Sequence, residues 1–136
     1  RMTSANGSGG ALHVVSGSAY NNTVWGNTLY SGATNDIGQT GGTVANSIAG
    51  VFAPSGGTQT GNYVGFMPGF ANLSACDFSL VGDSPCLDIG DWTFWGETRR
   101  AAKESKDMVG NSRLCGHSVD AGCYECAARG FILSVR

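Results

Sequence analysis

Nine of the ten acidic residues lie after position 76, where their types and spacing could support chemistry. Asp83, Asp88, Asp91 and Asp107 could supply the oxygen ligands that Ca²⁺ prefers, although their order does not match an EF-hand loop. Two positioned carboxylates could also perform the acid–base steps of glycoside hydrolysis. Glycines follow several of these acids closely, so turn formation competes with both kinds of chemistry.

The basic and acidic residues of this region also have spacings typical of structural roles. Asp88 and Asp120 each follow an apolar residue and stand two positions before a glycine, which favours Asx-type turns. Arg113 has candidate partners for a bidentate ion pair in Asp88, Asp120 or Glu125. We therefore predict structural rather than catalytic roles for five residues: Asp88, Asp107, Arg113, Asp120 and Glu125.

Five cysteines stand at positions 76, 86, 115, 123 and 126. In an exported protein this number predicts disulfide bonds with one thiol left over, but the pairing stays open. A bridge within Cys115, Cys123 and Cys126 is the favoured pairing. The alternative is a zinc site that adds His117 to these three cysteines, although the Cys-Gly-His spacing is shorter than in familiar zinc fingers.

Three linked motifs surround these residues. Residues 83–91 read DSPCLDIGD, residues 107–113 read DMVGNSR, and residues 119–125 read VDAGCYE. In this order they resemble the C-terminal end of bacterial right-handed parallel β-helix proteins of the choice-of-anchor Q type, over roughly residues 62–126. The resemblance implies a bacterial protein located outside the cell or at its surface. The apolar residues in the first and third motifs predict brief strands that close on glycine turns.

Short apolar runs led by asparagine recur through the first half of the chain. The segment around Asn22 matches the segment around Asn46 at a spacing of 24, and a similar segment starts at Asn62. Such recurrence is typical of stacked solenoid turns, since one turn cannot bury its apolar face alone. We predict a ladder of these three asparagines and an inward stack of five aliphatic residues: Leu12, Val14, Val24, Ile48 and Val64.

These observations predict an all-β fold, a right-handed parallel β-helix (solenoid) with a C-terminal cap. Residues 1–91 would form its terminal coils, residues 92–106 a short helical or loop insertion, and residues 107–136 the closing strands and cap. Residues 131–136 are apolar and β-prone, so they predict either a last edge strand or the start of a linker. We predict one domain. Because the chain begins with Arg1 rather than Met, we expect it to be a fragment of a longer protein.

The insertion differs in composition from the coils. Residues 97–106 are charged and contain alanines, which predicts two or three helical turns with an Arg100–Glu104 pair. Trp92, Phe94 and Trp95 precede this run. Their rings would pack back on the coils or stack on sugars, so they are the candidate glycan contacts.

Composition excludes some classes of protein. The net charge is −2, and Arg1 is the only Lys or Arg residue in positions 1–91. The basic stripe that neutralises phosphates is therefore missing from two thirds of the chain, and we expect no nucleic-acid partner. No run of about 18 apolar residues is present, so we expect no membrane span.

The same scarcity of ionisable residues bears on catalysis. Between positions 2 and 76 the usable groups are Asp36, His13 and tyrosines, too few for a polysaccharide lyase or hydrolase. We expect no catalytic residue and no cofactor in this fragment, apart from the calcium site considered above. The favoured function is an extracellular or cell-surface structural and binding module, for adhesion or glycan contact. The alternatives are the non-catalytic tail of a polysaccharide lyase or glycoside hydrolase, and a self-associating solenoid that forms oligomers or fibres.

Overall fold

The computed structural model describes residues 10–29, 31–95 and 98–126, with the backbone alone for Trp95. This part of the chain is all-β with few helical residues. Nine of its short strands form three units of three. The first unit contains β1 (Leu12–Val14), β2 (Ser18–Tyr20) and β3 (Thr23–Val24); the second contains β4 (Ile37–Gln39), β5 (Thr43–Ala45) and β6 (Ile48–Ala49); the third contains β7 (Phe52–Pro54), β8 (Thr58–Thr60) and β9 (Tyr63–Val64).

The nine strands form three parallel sheets, and each sheet contains one strand from each unit. The orders are β1-β4-β7, β2-β5-β8 and β3-β6-β9, so each strand of the first two units pairs with the strand three places further along the chain. The strands are only two or three residues long because a turn follows each of them. Sheets of this kind hold consecutive units together through backbone hydrogen bonds between units, such as Asn21 N–H to Ala45 C=O at 3.1 Å and Asn46 N–H to Thr60 C=O at 3.0 Å.

The spacing between units is uneven. Leu12 pairs with Ile37, 25 positions later, whereas Ile37 pairs with Phe52, only 15 positions later. The difference lies in the connections between units. Residues 25–36 connect β3 to β4, whereas residues 50–51 alone connect β6 to β7. The chain therefore inserts a loop after the first unit and not after the second.

The core between the three sheets is formed by one face of strands β1 to β7. Val14, Ile37, Val44 and Ala49 are buried there, with Leu12, Ala19, Val24 and Phe52 packed against them. Gln39 is the buried polar residue of this core. Its side-chain amide donates to the C=O groups of Gly42 and Thr58, and its oxygen accepts from the Gln59 amide at 2.9 Å, so its burial is compensated.

The register differs by one residue from the predicted one. Val24 pairs with Ala49, and Thr23 pairs with Ile48, so the spacing is 25 rather than 24. A shift of one residue moves a side chain to the opposite face of a strand. Ile48 is accordingly buried in a second cluster on the outer face of β6, together with Leu80, Cys86 and Ala121.

The predicted inward stack is correct for three of its five members. Leu12, Val14 and Val24 belong to the core between the sheets, whereas Ile48 packs on the opposite face. Val64 is 50% exposed, since no strand of the described residues follows β9 on its sheet. The prediction that Val64 is buried is therefore wrong.

The chain after β9 has a different organisation. β10 (Phe70–Asn72) and β11 (Asp77–Leu80) form an antiparallel hairpin around a 3₁₀ turn at Leu73–Ala75. Trp92–Trp95 form a second 3₁₀ turn, and α1 (Arg99–Glu104) is a short helix with Thr98 as its N-cap. The predicted helix over 97–106 is present but shorter.

The strands predicted in the DSPCLDIGD and VDAGCYE motifs do not form. Between residues 81 and 126, apart from the undescribed 96–97 and the two helical segments named above, the structure has turns, bends and isolated bridges such as Gly90 with Val119. Several backbone amides of these motifs donate to side-chain oxygens instead of to a neighbouring strand, as described below. The residues predicted as a last edge strand, 131–136, lie outside the described part. No helix in the part that the structure describes has the length and apolar character needed to cross a membrane.

Candidate functional site

The C-terminal motifs meet the three-strand units at the corner between the second and third strands of each unit. Asn21 and Asn46 occupy this corner in the first two units, with φ angles of 57° and 50°. Asparagine tolerates this left-handed conformation better than other residues with a side chain. The predicted ladder of Asn22, Asn46 and Asn62 is therefore wrong, because Asn46 lies beside Asn21, whereas Asn22 and Asn62 belong to the next row.

Asn22 and Asn62 belong to a neighbouring polar row that has Ser47 between them. Asn22 N–H donates to the Ser47 hydroxyl at 3.2 Å, and Ser47 N–H donates to the Asn62 side-chain oxygen at 2.8 Å. The Asn62 amide also donates to Val44 C=O at 2.8 Å. These bonds satisfy backbone groups of adjacent units where the strands turn, so the row has a structural role.

The asparagine corner holds the VDAGCYE motif through the backbone of Gly122. Gly122 N–H donates to Asn46 C=O at 2.7 Å, and the Asn21 side-chain amide donates to Gly122 C=O at 3.4 Å. The next amide, Cys123 N–H, donates to the Thr23 hydroxyl at 3.1 Å. One peptide segment from the end of the chain is thus bound to two units near its beginning.

Asn46 also holds the end of the DSPCLDIGD motif. Its side-chain oxygen accepts from Asp91 N–H at 2.6 Å, and its amide donates to Asp91 C=O at 2.9 Å. This pair of bonds copies the pairing of two backbone segments. Asn46 is fully buried, so both bonds are shielded from water.

Asp120 and Glu125 are buried and accept hydrogen bonds from backbone amides. Asp120 accepts from Asp88 N–H at 2.8 Å and from Cys126 N–H at 2.7 Å. Both oxygens of Glu125 lie 3.2 Å from Asp120 N–H. The prediction of an Asx-type turn at Asp120 is replaced by longer-range bonds, which join the first and third motifs.

Asp107 and Asp88 complete the set of bound acids. Asp107 accepts from Val109 N–H at 3.0 Å and Asn111 N–H at 2.7 Å, which closes a turn on its own backbone, and also from Glu125 N–H at 2.9 Å. Asp88 accepts from Ser118 N–H at 2.8 Å instead of forming an Asx-type turn. Each acid therefore joins two segments that are distant in sequence or closes a turn.

Arg113 is buried and binds backbone carbonyl groups rather than a carboxylate. Its guanidinium donates to Gly122 C=O at 2.8 Å and to Cys123 C=O at 3.1 Å. In the described ranges the ion pair within 4.0 Å is Arg100–Glu104 on the surface of α1, at 2.8 Å, as predicted. The prediction of a bidentate pair between Arg113 and Asp88, Asp120 or Glu125 is wrong, because two consecutive carbonyls fill the planar fork.

Burial shifts the protonation of this group. It raises the pKa of Glu125 to about 8, and the nearby Asp120 carboxylate adds to the rise. Burial likewise raises the pKa of Asp120 against the N–H bonds from Cys126 and Asp88, and it lowers the pKa of Arg113. At Asp107 burial acts upward, but the N–H bonds from Glu125 and Asn111 outweigh it and lower the pKa.

The cysteines and candidate metal ligands do not converge. No disulfide bond links any two of the five cysteines, so the favoured bridge within Cys115, Cys123 and Cys126 is not formed. Burial raises the pKa of the Cys86 thiol to about 11. Within the described ranges no group of three His, Cys, Asp or Glu side chains has a metal-binding arrangement. Three of the residues considered for calcium accept from different backbone amides: Asp88 from Ser118, Asp91 from Thr93 and Asp107 from Asn111.

Asp36 is a structural acid that the sequence did not single out for this role. It is fully buried and accepts from Asn27 N–H at 2.7 Å and the Asn27 amide at 3.1 Å. Its second oxygen accepts from Gly50 N–H at 2.9 Å and Val51 N–H at 3.0 Å. Asp36 thus fixes the inserted loop to the turn between β6 and β7. A signal was present, since Asp36 is the one acid in residues 2–76 and directly precedes β4.

No family model, curated protein or solved structure matches this chain.

The insertion presents the candidate glycan contacts. Trp92 is partly buried against Ala102, Leu114 and Val119, and the Arg99 guanidinium lies 5.7 Å from its ring centre. The Phe94 ring lies 5.8 Å from that of Tyr20, so this part of the insertion packs back on β2 as expected. The side chain of Trp95 lies outside the described part of the structure.

The geometry determines what these residues can do. The oxygens of Asp107, Asp120 and Glu125 accept backbone amides at 2.7–3.2 Å, so proton transfer to a substrate would require these bonds to break. A buried guanidinium bound to two carbonyls is similarly committed. This arrangement attaches the segment that ends at residue 126 to the three-strand units. The insertion remains at the surface.

Proposed function

We propose that this chain is the terminal part of a right-handed parallel β-helix of the choice-of-anchor Q type. One observation supports this most strongly: all nine strands of the three units pair in parallel with the strand three places away. Consecutive strands that turn and then stack on the preceding unit produce a solenoid. The three motifs that resemble the family's C-terminal end are also the segments that hold the chain's last described residues against these units.

We propose that this module acts outside the cell or at its surface, as a structural and binding element that contacts glycans. The polar residues of the described core are used up by the fold: Gln39, Asn46, Asp120 and Glu125 are buried and hydrogen-bonded. The exposed part of the insertion offers a different surface. Aromatic side chains provide large and rigid contact area, which suits the apolar faces of sugar rings.

Glycan binding can be tested with one aromatic variant and a matched control. We expect Phe94→Ala to weaken binding to a panel of immobilised polysaccharides, because its ring and that of Tyr20 form one aromatic surface. Phe66→Ala is the control, since Phe66 is 84% exposed and lies outside the insertion. Loss of binding for Phe66→Ala alone, or no binding by the unaltered protein, would contradict the proposed glycan contact.

Self-association is a second candidate, favoured by the outer end of the third unit. Phe52, Pro54, Gln59 and Val64 line a cavity of about 360 Å³ there. Strands β7, β8 and β9 are each the last in their sheets among the described residues, and exposed strand edges invite pairing with another chain. Sedimentation velocity at increasing protein concentration tests this: larger species that disappear in a Val64→Lys variant support it, and a monomer at every concentration opposes it.

A further inference from the structure

Positive charge is concentrated in one short part of the chain. Residues 98–106 contain Arg99, Arg100, Lys103 and Lys106 against a single acid, Glu104, although the whole chain has a net charge of −2. Arg99 and Lys103 are four positions apart on α1, so their side chains emerge on the same helix face. The chain therefore carries a local cationic surface on an otherwise acidic protein.

This cationic surface is one wall of a groove. Arg99, Arg100 and Lys103 line one side, and Leu114, Cys115 and Gly116 line the other, enclosing about 360 Å³. The volume is within the range of small-ligand sites. Three basic side chains around one groove produce a positive potential that attracts anions.

Arg99 is held in place before any ligand arrives. Its guanidinium donates to His117 C=O at 2.8 Å and lies over the Trp92 ring. Trp92 in turn packs on the buried side chains of Ala102, Leu114 and Val119. Positioning of this kind reduces the side-chain entropy lost on binding. Arg100 is paired with Glu104, but that pair is exposed and therefore weak, so an anionic ligand can compete with it.

We propose that this groove, here called the α1 groove, binds acidic sugar units of an anionic polysaccharide through Arg99 and Lys103. Arg99 provides the planar fork that matches a carboxylate or sulfate, and Lys103 provides a second charge. Trp92, which lies beside the Arg99 guanidinium, supplies neighbouring aromatic surface. The inference rests on the proposed glycan contact and specifies its ligand as acidic; carboxylate and sulfate groups share the chemistry that these side chains recognise.

The test uses the full chain and four immobilised polymers: polygalacturonate, dextran sulfate, neutral dextran and single-stranded oligothymidine. Binding is measured for the unaltered protein, Lys103→Gln, the double variant Arg99→Gln/Lys103→Gln, and Lys106→Gln. Lys106→Gln removes one charge from the same segment but from a residue that does not line the groove. Thermal unfolding of each variant verifies that it is folded, and Lys103→Gln leaves the Arg99–His117 bond intact.

We expect the unaltered protein to bind polygalacturonate, dextran sulfate or both. Lys103→Gln should bind about tenfold more weakly, because it loses one charge-assisted contact. The double variant should bind more weakly still, and Lys106→Gln should change binding less than about threefold. Comparison of the two acidic polymers identifies the preferred anion. Equal binding of oligothymidine, or equal effects of Lys103→Gln and Lys106→Gln, would overturn the inference. Binding of neutral dextran that no variant changes would overturn it but retain the proposed glycan contact, whereas no glycan binding would contradict both.

Discussion

The side-chain amide of Asn46 pairs with the backbone of Asp91 through two hydrogen bonds, of 2.6 Å and 2.9 Å. Asn46 lies at a corner of the second unit, and Asp91 ends the motif 45 positions later. The same asparagine accepts Gly122 N–H through its own C=O. One buried residue therefore connects the parallel sheets to two of the three C-terminal motifs, which makes it the most direct point at which to disturb their attachment.

Two substitutions at Asn46 distinguish the stability that its side-chain hydrogen bonds contribute from the effect of its left-handed backbone conformation. Asn46→Gly removes the side chain but tolerates the φ of 50°, and we expect a loss of about 2–3 kcal/mol because the Asp91 amide and carbonyl lose their partners. Asn46→Ala should cost about 1 kcal/mol more, from left-handed strain. Urea unfolding followed by fluorescence measures both. Unchanged stability of Asn46→Gly would show that the pair contributes nothing.

Gly122 is placed where a side chain has no space. A Cβ atom there would lie 2.7 Å from both the Ile48 Cδ1 and Thr23 Oγ1 atoms. Gly110 is a matched control, since its φ is also 93° and nothing lies within 4 Å of the added atom. We expect Gly110→Ala to lose about 1–2 kcal/mol from backbone strain alone, and Gly122→Ala to lose more, from strain plus overpacking. Equal midpoints in urea for the two variants would contradict the close packing of the motif on β3 and β6.

Arg113 stabilises the end of the chain through its fork of donors. Arg113→Lys retains the charge but cannot reproduce both bonds to Gly122 and Cys123, so we expect a loss of about 2 kcal/mol. Arg100→Lys is the control: its pair with Glu104 is exposed, so a change below about 0.5 kcal/mol is expected. Thermal unfolding compares them. An equal effect of the two substitutions would argue against a structural role for Arg113.

Glu125 should make stability depend on pH. Its pKa is raised from 4.5 to about 8 in the folded state, so between these values the folded protein holds a proton that the unfolded chain releases. The contribution of Glu125 is complete below pH about 4.5 and is lost as the pH rises through about 8. The raised pKa of Asp120 acts in the same direction. The lowered pKa of Asp107 acts in the opposite direction, because it stabilises the folded state at pH values above the ordinary pKa of an aspartate.

The variant Glu125→Gln isolates this effect because glutamine resembles the neutral acid. We expect the unfolding temperature of the unaltered protein to fall between pH about 5 and about 9, and that of Glu125→Gln to fall less steeply. The two curves should diverge most at the alkaline end. Parallel curves across the whole range would show that Glu125 does not titrate with a raised pKa in the folded protein.

The sequence predicted the class of fold but not the register. Recurring asparagine-led apolar runs indicated stacked strands, and the sheets are parallel. The alignment of Asn22 with Asn46 was wrong by one position because the side chains alone do not reveal that Asn21 adopts the left-handed corner conformation. That single shift transferred Ile48 from the predicted core to the opposite face.

The C-terminal site could be predicted in its composition but not in its connections. Structural roles were predicted for the acids and Arg113, but the Asx-type turns expected at Asp88 and Asp120 and the carboxylate partner expected for Arg113 are not formed. The groups bound by the Asp88 and Asp120 carboxylates and by the Arg113 guanidinium are 6 to 32 positions away, the most distant pair being Asp88 N–H and the Asp120 carboxylate. No local pattern encodes such distances. Sequence reasoning also missed the four bonds to Asp36, which depend on how the inserted loop packs.

The stacking of the three units is tested most directly by NMR couplings across hydrogen bonds. Two bonds decide it: Asn21 N–H to Ala45 C=O, and Asn46 N–H to Thr60 C=O. We predict a coupling for each pair, because each of these two amides donates to a carbonyl of the unit that follows its own. Couplings of these amides to carbonyls of the adjacent strand in an antiparallel hairpin would contradict the parallel arrangement and, with it, the proposed solenoid.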